Sequence, residues 1–142
     1  MARIKLTFPN KTIFETQIPL RIQDINYGGH VGNDAFLRLA HEARLLFLQS
    51  LGFTELNIEG HSLIMSDAAI VFQHEGKYPD TLKIELAADE ISKTGFDLYY
   101  RLSSETNNKV IAIVKTRMVF YNYQKPKVNQ VPDSFMTKLL TL

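Results

Sequence analysis

A chain of 142 residues, 45% of them hydrophobic, is expected to form one domain over residues 1–142, with a core that needs no covalent staples. Having no cysteine excludes disulfides, thiolate metal sites and cysteine nucleophiles, and 16 Lys+Arg against 15 Asp+Glu leave a charge of +1, without the basic excess of a nucleic-acid binder. No apolar run approaches the ~18 residues that cross a bilayer, and the first ten carry no signal-peptide core, so a soluble cytoplasmic protein with no membrane partner is expected.

Residues 12–22 alternate, with Phe14, Ile18, Leu20 and Ile22 on one face and Glu15, Gln17 and Arg21 on the other. That period of two predicts a half-buried strand. A polar, glycine-rich loop follows, and then Asn33 or Asp34 stands where a helix N-cap is expected. The helix should run to about Ser50, with Gly52 as its stop. Phe36, Leu39, Ala40, Ala43, Leu46 and Phe47 form its main stripe, yet Leu37, Leu45 and Leu48 lie off it. A helix apolar on most faces belongs in the middle of a fold.

The remaining elements read as strands. Residues 62–72 are a nearly continuous apolar run broken by Ser66 and Asp67. Residues 82–89 and 96–102 alternate, and 110–121 form a longer strand ending in aromatics. The connections carry Pro79-Asp80, Gly95 and Asn107-Asn108, and such short turns imply antiparallel hairpins. A short C-terminal tail completes the chain. The expected architecture is α+β, an antiparallel five-stranded sheet wrapped around one long central helix.

The unusual residues concentrate between Asp24 and Asn33, where Asn26, Tyr27, Gly28, Gly29 and His30 immediately precede the buried helix. Glycines let backbone approach a ligand, and a helix start offers free N–H groups and a positive dipole end to a developing oxyanion. The arrangement suits attack on an acyl carbonyl. It also suits a plain capped turn.

Asp24-Ile25-Asn26-Tyr27-Gly28-Gly29-His30-Val31-Gly32-Asn33, with Phe36 and Glu42-Ala43-Arg44 after it, resembles the signature of hotdog-fold acyl-CoA thioesterases, in particular the 4-hydroxybenzoyl-CoA thioesterase type. The turn Tyr78-Pro79-Asp80 and the segment Val131-Pro132 are similar to that family as well. The resemblance implies hydrolysis of an acyl-CoA or acyl-carrier-protein thioester without metal or redox cofactor. It also implies a homodimer, or a dimer of dimers, with active sites at the interface. It puts the oxyanion-binding N–H near Asn33, and the family's catalytic carboxylate falls on Asn26. An asparagine is neither base nor carboxylate nucleophile, though it can hydrogen-bond water or the thioester carbonyl.

A base must then stand elsewhere. Glu42 lies nine residues beyond Asn33, about 13 Å along the helix, and reaches the site only across a subunit interface. Its alternative is an i,i−4 pair with Arg38. Asp67 interrupts an apolar run, where a carboxylate must be paired, hydrogen-bonded or functional. His30 is a candidate to orient water or move a proton, or a structural hydrogen-bonder. His41, His61 and His74 have no metal-ligand spacing, so no metal site is expected. Tyr27 either lines an acyl pocket or covers the loop. Lys77, Lys93, Lys115 and Arg117 are candidates to meet CoA phosphates. The missing carboxylate at Asn26 keeps a second reading open, a non-catalytic acyl-CoA-binding protein on the same fold.

Overall fold

The computed structural model describes residues 3–142. Strand β1 (Phe14–Pro19) leads through a 3-10 turn (Ile22–Asp24) and the glycine loop into helix α1 (Ala35–Ser50). Four long strands follow, β2 (Ser62–Phe72), β3 (Thr81–Asp89), β4 (Gly95–Ser104) and β5 (Val110–Asn122). A two-residue strand β6 (Lys127–Val128) and helix α2 (Asp133–Thr141) end the chain. The order across the sheet is β1-β3-β4-β5-β2, with β6 beside the end of β5. Every pairing is antiparallel. This is the expected α+β hotdog architecture.

Period-two patterning decides which face of the sheet meets the helix. Leu82, Ile84 and Leu86 of β3, Phe96, Leu98, Tyr100 and Leu102 of β4, and Ala112, Val114, Met118 and Phe120 of β5 are all buried. They enclose Phe36, Leu39, Ala40, Ala43, Phe47 and Leu48 of α1 in one core. A polar tie crosses that core. Buried Arg44 donates from Nε to Glu55 Oε2 (2.7 Å) and from Nη1 to the Tyr100 hydroxyl (3.0 Å), and Tyr100 meets Thr116 at 2.8 Å. Every member is satisfied, so helix, following loop and sheet are held in one relative position.

Four expectations need correction. The helix is not covered on all sides: Leu37 and Leu45 remain 36% and 39% exposed, because the sheet wraps one side only. Asp34 stands at the N-cap but does not cap. Its backbone is helical (φ −72°, ψ −24°), outside the extended region capping requires, and its carboxylate accepts from Arg38 Nη1 instead (3.2 Å). The strand expected to reach residue 22 ends at Pro19, after which the chain turns into the 3-10 segment. The C-terminal tail is helical and buries Phe135 and Leu139, one turn apart, with the Phe135 ring against Phe53, Phe96 and Phe120. The glycine stop is as expected. Gly52 adopts φ +85° while the N–H groups of Gly52 and Phe53 reach back to Gln49 and Leu48, a Schellman closure.

Candidate active site

Backbone bonding folds the glycine loop back on itself. Asn26 N–H donates to His30 O (2.9 Å), Gly29 N–H to Asn26 O (3.0 Å), and Ile25 bridges Val31. The Asn26 side chain braces this turn, since its Oδ1 accepts from Gly28 N–H (2.9 Å) and more distantly from His30 N–H (3.4 Å). Those two donors require the oxygen there, so the Nδ2 amide is the end left over. An aspartate would brace the turn equally and leave a carboxylate oxygen in place of that N–H₂.

Asp24, almost completely buried, supports the loop from below. Its carboxylate accepts from Arg21 N–H (2.9 Å) and its carbonyl from Gly32 N–H (3.0 Å).

Beside the loop opens a cleft of about 240 Å³, lined by His30, Val31, Asn33 and Phe36 together with residues 72–76 at the end of β2. Phe36 and Phe72 meet edge to face, their centroids 5.3 Å apart, and form an apolar wall. His30 and Glu75 face one another at 3.9 Å (Nε2 to Oε1). The Asn33 N–H, at the entry to α1, donates to no acceptor among the described residues. The cleft thus combines an apolar wall, an imidazole, a carboxylate and an uncommitted N–H at a helix start. That set can hold an acyl group and stabilise negative charge on its carbonyl oxygen.

Of the residues singled out in sequence, His30 and Asn33 line this cleft, and Asn26 stands just behind His30. A Cβ on Gly28 would sit 3.2 Å from Asn26 Oδ1 and 3.3 Å from His30 Nε2, so the glycine leaves open the space between them. Tyr27 is fully exposed and, with Gly28 and Gly29, does not line the cleft within the protomer.

Glu42 lies apart, in a second hollow with Arg21, Asp24 and Arg38. The expected pair with Arg38 does not form, because that guanidinium turns to Asp34 and, at 3.8 Å, to Asp24. Asp67 sits after a β-bulge on the outer face of β2, paired with Lys115 Nζ at 2.6 Å. That hydrogen bond, and Asp97 nearby, hold the Lys115 ammonium above its ordinary range against the opposing effect of burial. Arg117 is likewise committed, to Asp97 (3.2 Å) and Ser92 (2.8 Å).

Phe72, Gln73, Glu75 and Gly76 were not singled out. His74, which in sequence shows only that it lacks metal-ligand spacing, has its Nδ1 2.9 Å from Val110 O, and it too lines the cleft. The one sign of them in the sequence is a polar His-Glu-Gly triplet closing the apolar run of β2.

The thioesterase-like superfamily model matches residues 20–139. The chain belongs to the thioesterase-like superfamily. Thioester hydrolysis is the general chemistry this membership supports. No curated protein matches the chain. Among solved structures, a 1,4-dihydroxy-2-naphthoyl-CoA thioesterase from Synechocystis is similar at TM-score 0.82 and 23% identity, over 91% of this chain and 96% of that one. A thioesterase-superfamily protein from Jannaschia sp. CCS1 aligns at TM-score 0.82 and 17% identity, over 94% and 84% of the two chains. The DHNA-CoA thioesterase of Staphylococcus aureus aligns at 0.75 and 15%, over 89% and 87%. At these identities the structural likenesses establish the superfamily's hotdog fold.

Proposed function

We propose that the protein hydrolyses an acyl-CoA or acyl-carrier-protein thioester to free acid and thiol, working as a homodimer or a dimer of dimers. The observation that carries this reading is the cleft itself, where His30 and the free Asn33 N–H meet an apolar Phe36–Phe72 wall at the start of a buried helix. The acyl chain lies along the two rings. The thioester oxygen points at the Asn33 N–H, which gains most as charge develops. Asn26 and His30 position the attacking water. A carboxylate is needed to activate it, and Asp67 or Glu42 would have to arrive from a second copy. The naphthoyl-CoA substrate of the Synechocystis relative supports including aromatic acyl groups among those tested.

The test is a panel of aliphatic and aromatic acyl-CoAs incubated with the protein and a thiol reagent. Thiol release is expected. Asn26→Ala should lower turnover without lowering the melting temperature, and Asn26→Asp should raise it by restoring a carboxylate to a turn it braces equally well. Wild-type turnover in Asn26→Ala would remove Asn26 from the mechanism. Calorimetric binding of acyl-CoA with no thiol released would establish the second reading, a non-catalytic binder, which the asparagine at this position favours.

A further inference from the structure

We propose that Glu75, on the connection between β2 and β3, is the general base of this cleft. The proposal rests on the thioester-hydrolase reading and supplies the carboxylate that reading lacks inside one protomer.

The segment carrying Glu75 is fixed on both sides. Gln73 and His74 donate their N–H groups to Ile111 O at 2.8 and 3.2 Å, and Gly76 O accepts from Val31 N–H at 2.8 Å. The approach to Val31 depends on Gly76. A Cβ there would lie 2.8 Å from Val31 Cγ2 and 3.0 Å from Ile111 Cδ1, inside van der Waals contact. The glycine therefore lets the β2–β3 connection dock on the His30 loop, and docking sets Glu75 opposite His30. Among the described residues, His30 is the one charge partner within 4 Å of the Glu75 carboxylate.

The proton positions follow from the acceptors. Val31 O can only accept, so in its 3.4 Å contact His30 Nδ1 carries the hydrogen, which leaves the Nε2 lone pair towards Glu75. Two acceptors 3.9 Å apart leave room for one bridging donor, and a single water fits both. Such a water turns its own lone pairs to the cleft, towards the acyl carbon held between the aromatic wall and the Asn33 N–H.

The step balances without another reactant. The water oxygen bonds to the thioester carbon as one of its protons passes to Glu75. The tetrahedral intermediate then collapses, the carbon–sulfur bond breaks, and the departing sulfur takes that proton. Acid and thiol leave, with Glu75 ionised again. His30 orients the water and is not consumed.

The experiment compares wild type, Glu75→Gln, Glu75→Asp and Glu75→Gln combined with Asn26→Asp. Acetyl-, decanoyl- and benzoyl-CoA serve as probes, with thiol release and melting temperature as readouts. Loss of a general base should lower kcat of Glu75→Gln by about 100-fold or more, with KM and melting temperature little changed. Glu75→Asp should retain more of the rate. Asn26→Asp should recover at least about tenfold in the Glu75→Gln background, since Asn26 Oδ1 and His30 Nε2 border the same space beside Gly28. Glu75→Gln within about threefold of wild type would overturn the proposal, as would equal losses in both Glu75 variants accompanied by a lower melting temperature. No thiol release from wild type would overturn the hydrolase reading, and this proposal with it.

Discussion

Gly76 does more for the site than any side chain it lacks. The 2.8 Å and 3.0 Å contacts awaiting a Cβ are both with side-chain methyls, so Gly76→Ala can be accommodated if the connection backs away from Val31. Overpacking of this kind costs about 1–3 kcal/mol, and the protein should still fold. Displacing Glu75 and the cleft wall by even a fraction of an ångström should cost activity more, on the order of 10–100-fold in kcat/KM. Circular dichroism with the thiol-release assay checks this; a variant with wild-type turnover would show that the docking of this connection is irrelevant to the chemistry. At this scale half the site was legible in sequence. Asn26, His30 and Asn33 crowd into one loop whose residue types have no reason to gather in a core. Glu75 and Gly76 sit more than 40 residues later and join them where Val31 N–H bonds to Gly76 O at 2.8 Å. Nothing local to either stretch announces the other.

Elements were legible where the period was long enough to read. Strands β3, β4 and β5 are each nine or more residues long with alternation over part of their length, and their short turns left antiparallel pairing as the one arrangement to expect. Helix α2 escaped because nine residues with two buried positions look like a tail until Phe135 finds the aromatic cluster waiting for it. The β3–β4 ladder makes a prediction of its own. Glu85 lies directly opposite Arg101 in register and takes a two-pronged hydrogen bond from it, at 3.0 and 2.9 Å. That bond, against some burial, holds the Glu85 carboxyl below its usual range. Just before β3, burial acts to raise Asp80, but hydrogen bonds from Ser104, Thr106 and the Thr81 N–H outweigh it and hold that carboxyl low as well. A carboxylate depressed in the folded state binds its proton more readily when unfolded. The stabilisation is therefore complete above the ordinary carboxyl range of about 4 and is lost as pH falls through the lower folded values. Melting temperature should decline on acidification from about pH 5 to about pH 2, and Glu85→Gln and Asp80→Asn should each flatten that decline. Unchanged slopes in both variants would move the acid sensitivity elsewhere.

For the molecule as a whole, the open question is what lies against β2. This eleven-residue strand forms one margin of the sheet, and its inner face leaves Met65 46% exposed in a shallow hollow with Leu37 of α1. A long, apolar, unpaired edge is a template for another strand, and a second copy of the same edge is the self-complementary occupant. Light scattering should give about two or four times the 16.3 kDa of one chain. A lysine at Met65 should return it to one chain with its circular dichroism intact, because a surface substitution on an already exposed side chain costs the protomer little, roughly 0.5 kcal/mol or less. A monomeric wild type would show that this edge stays unpaired in solution. The same variant separates the two places from which the base can come. If Glu42 or Asp67 acts from the partner, the monomer must lose turnover, because neither lines the cleft of its own chain. If Glu75 acts, His30, Asn33, the aromatic wall and the base all remain in one protomer, and the monomer should still release thiol. Turnover that disappears with the dimer would place the base across the interface and sink the assignment to Glu75.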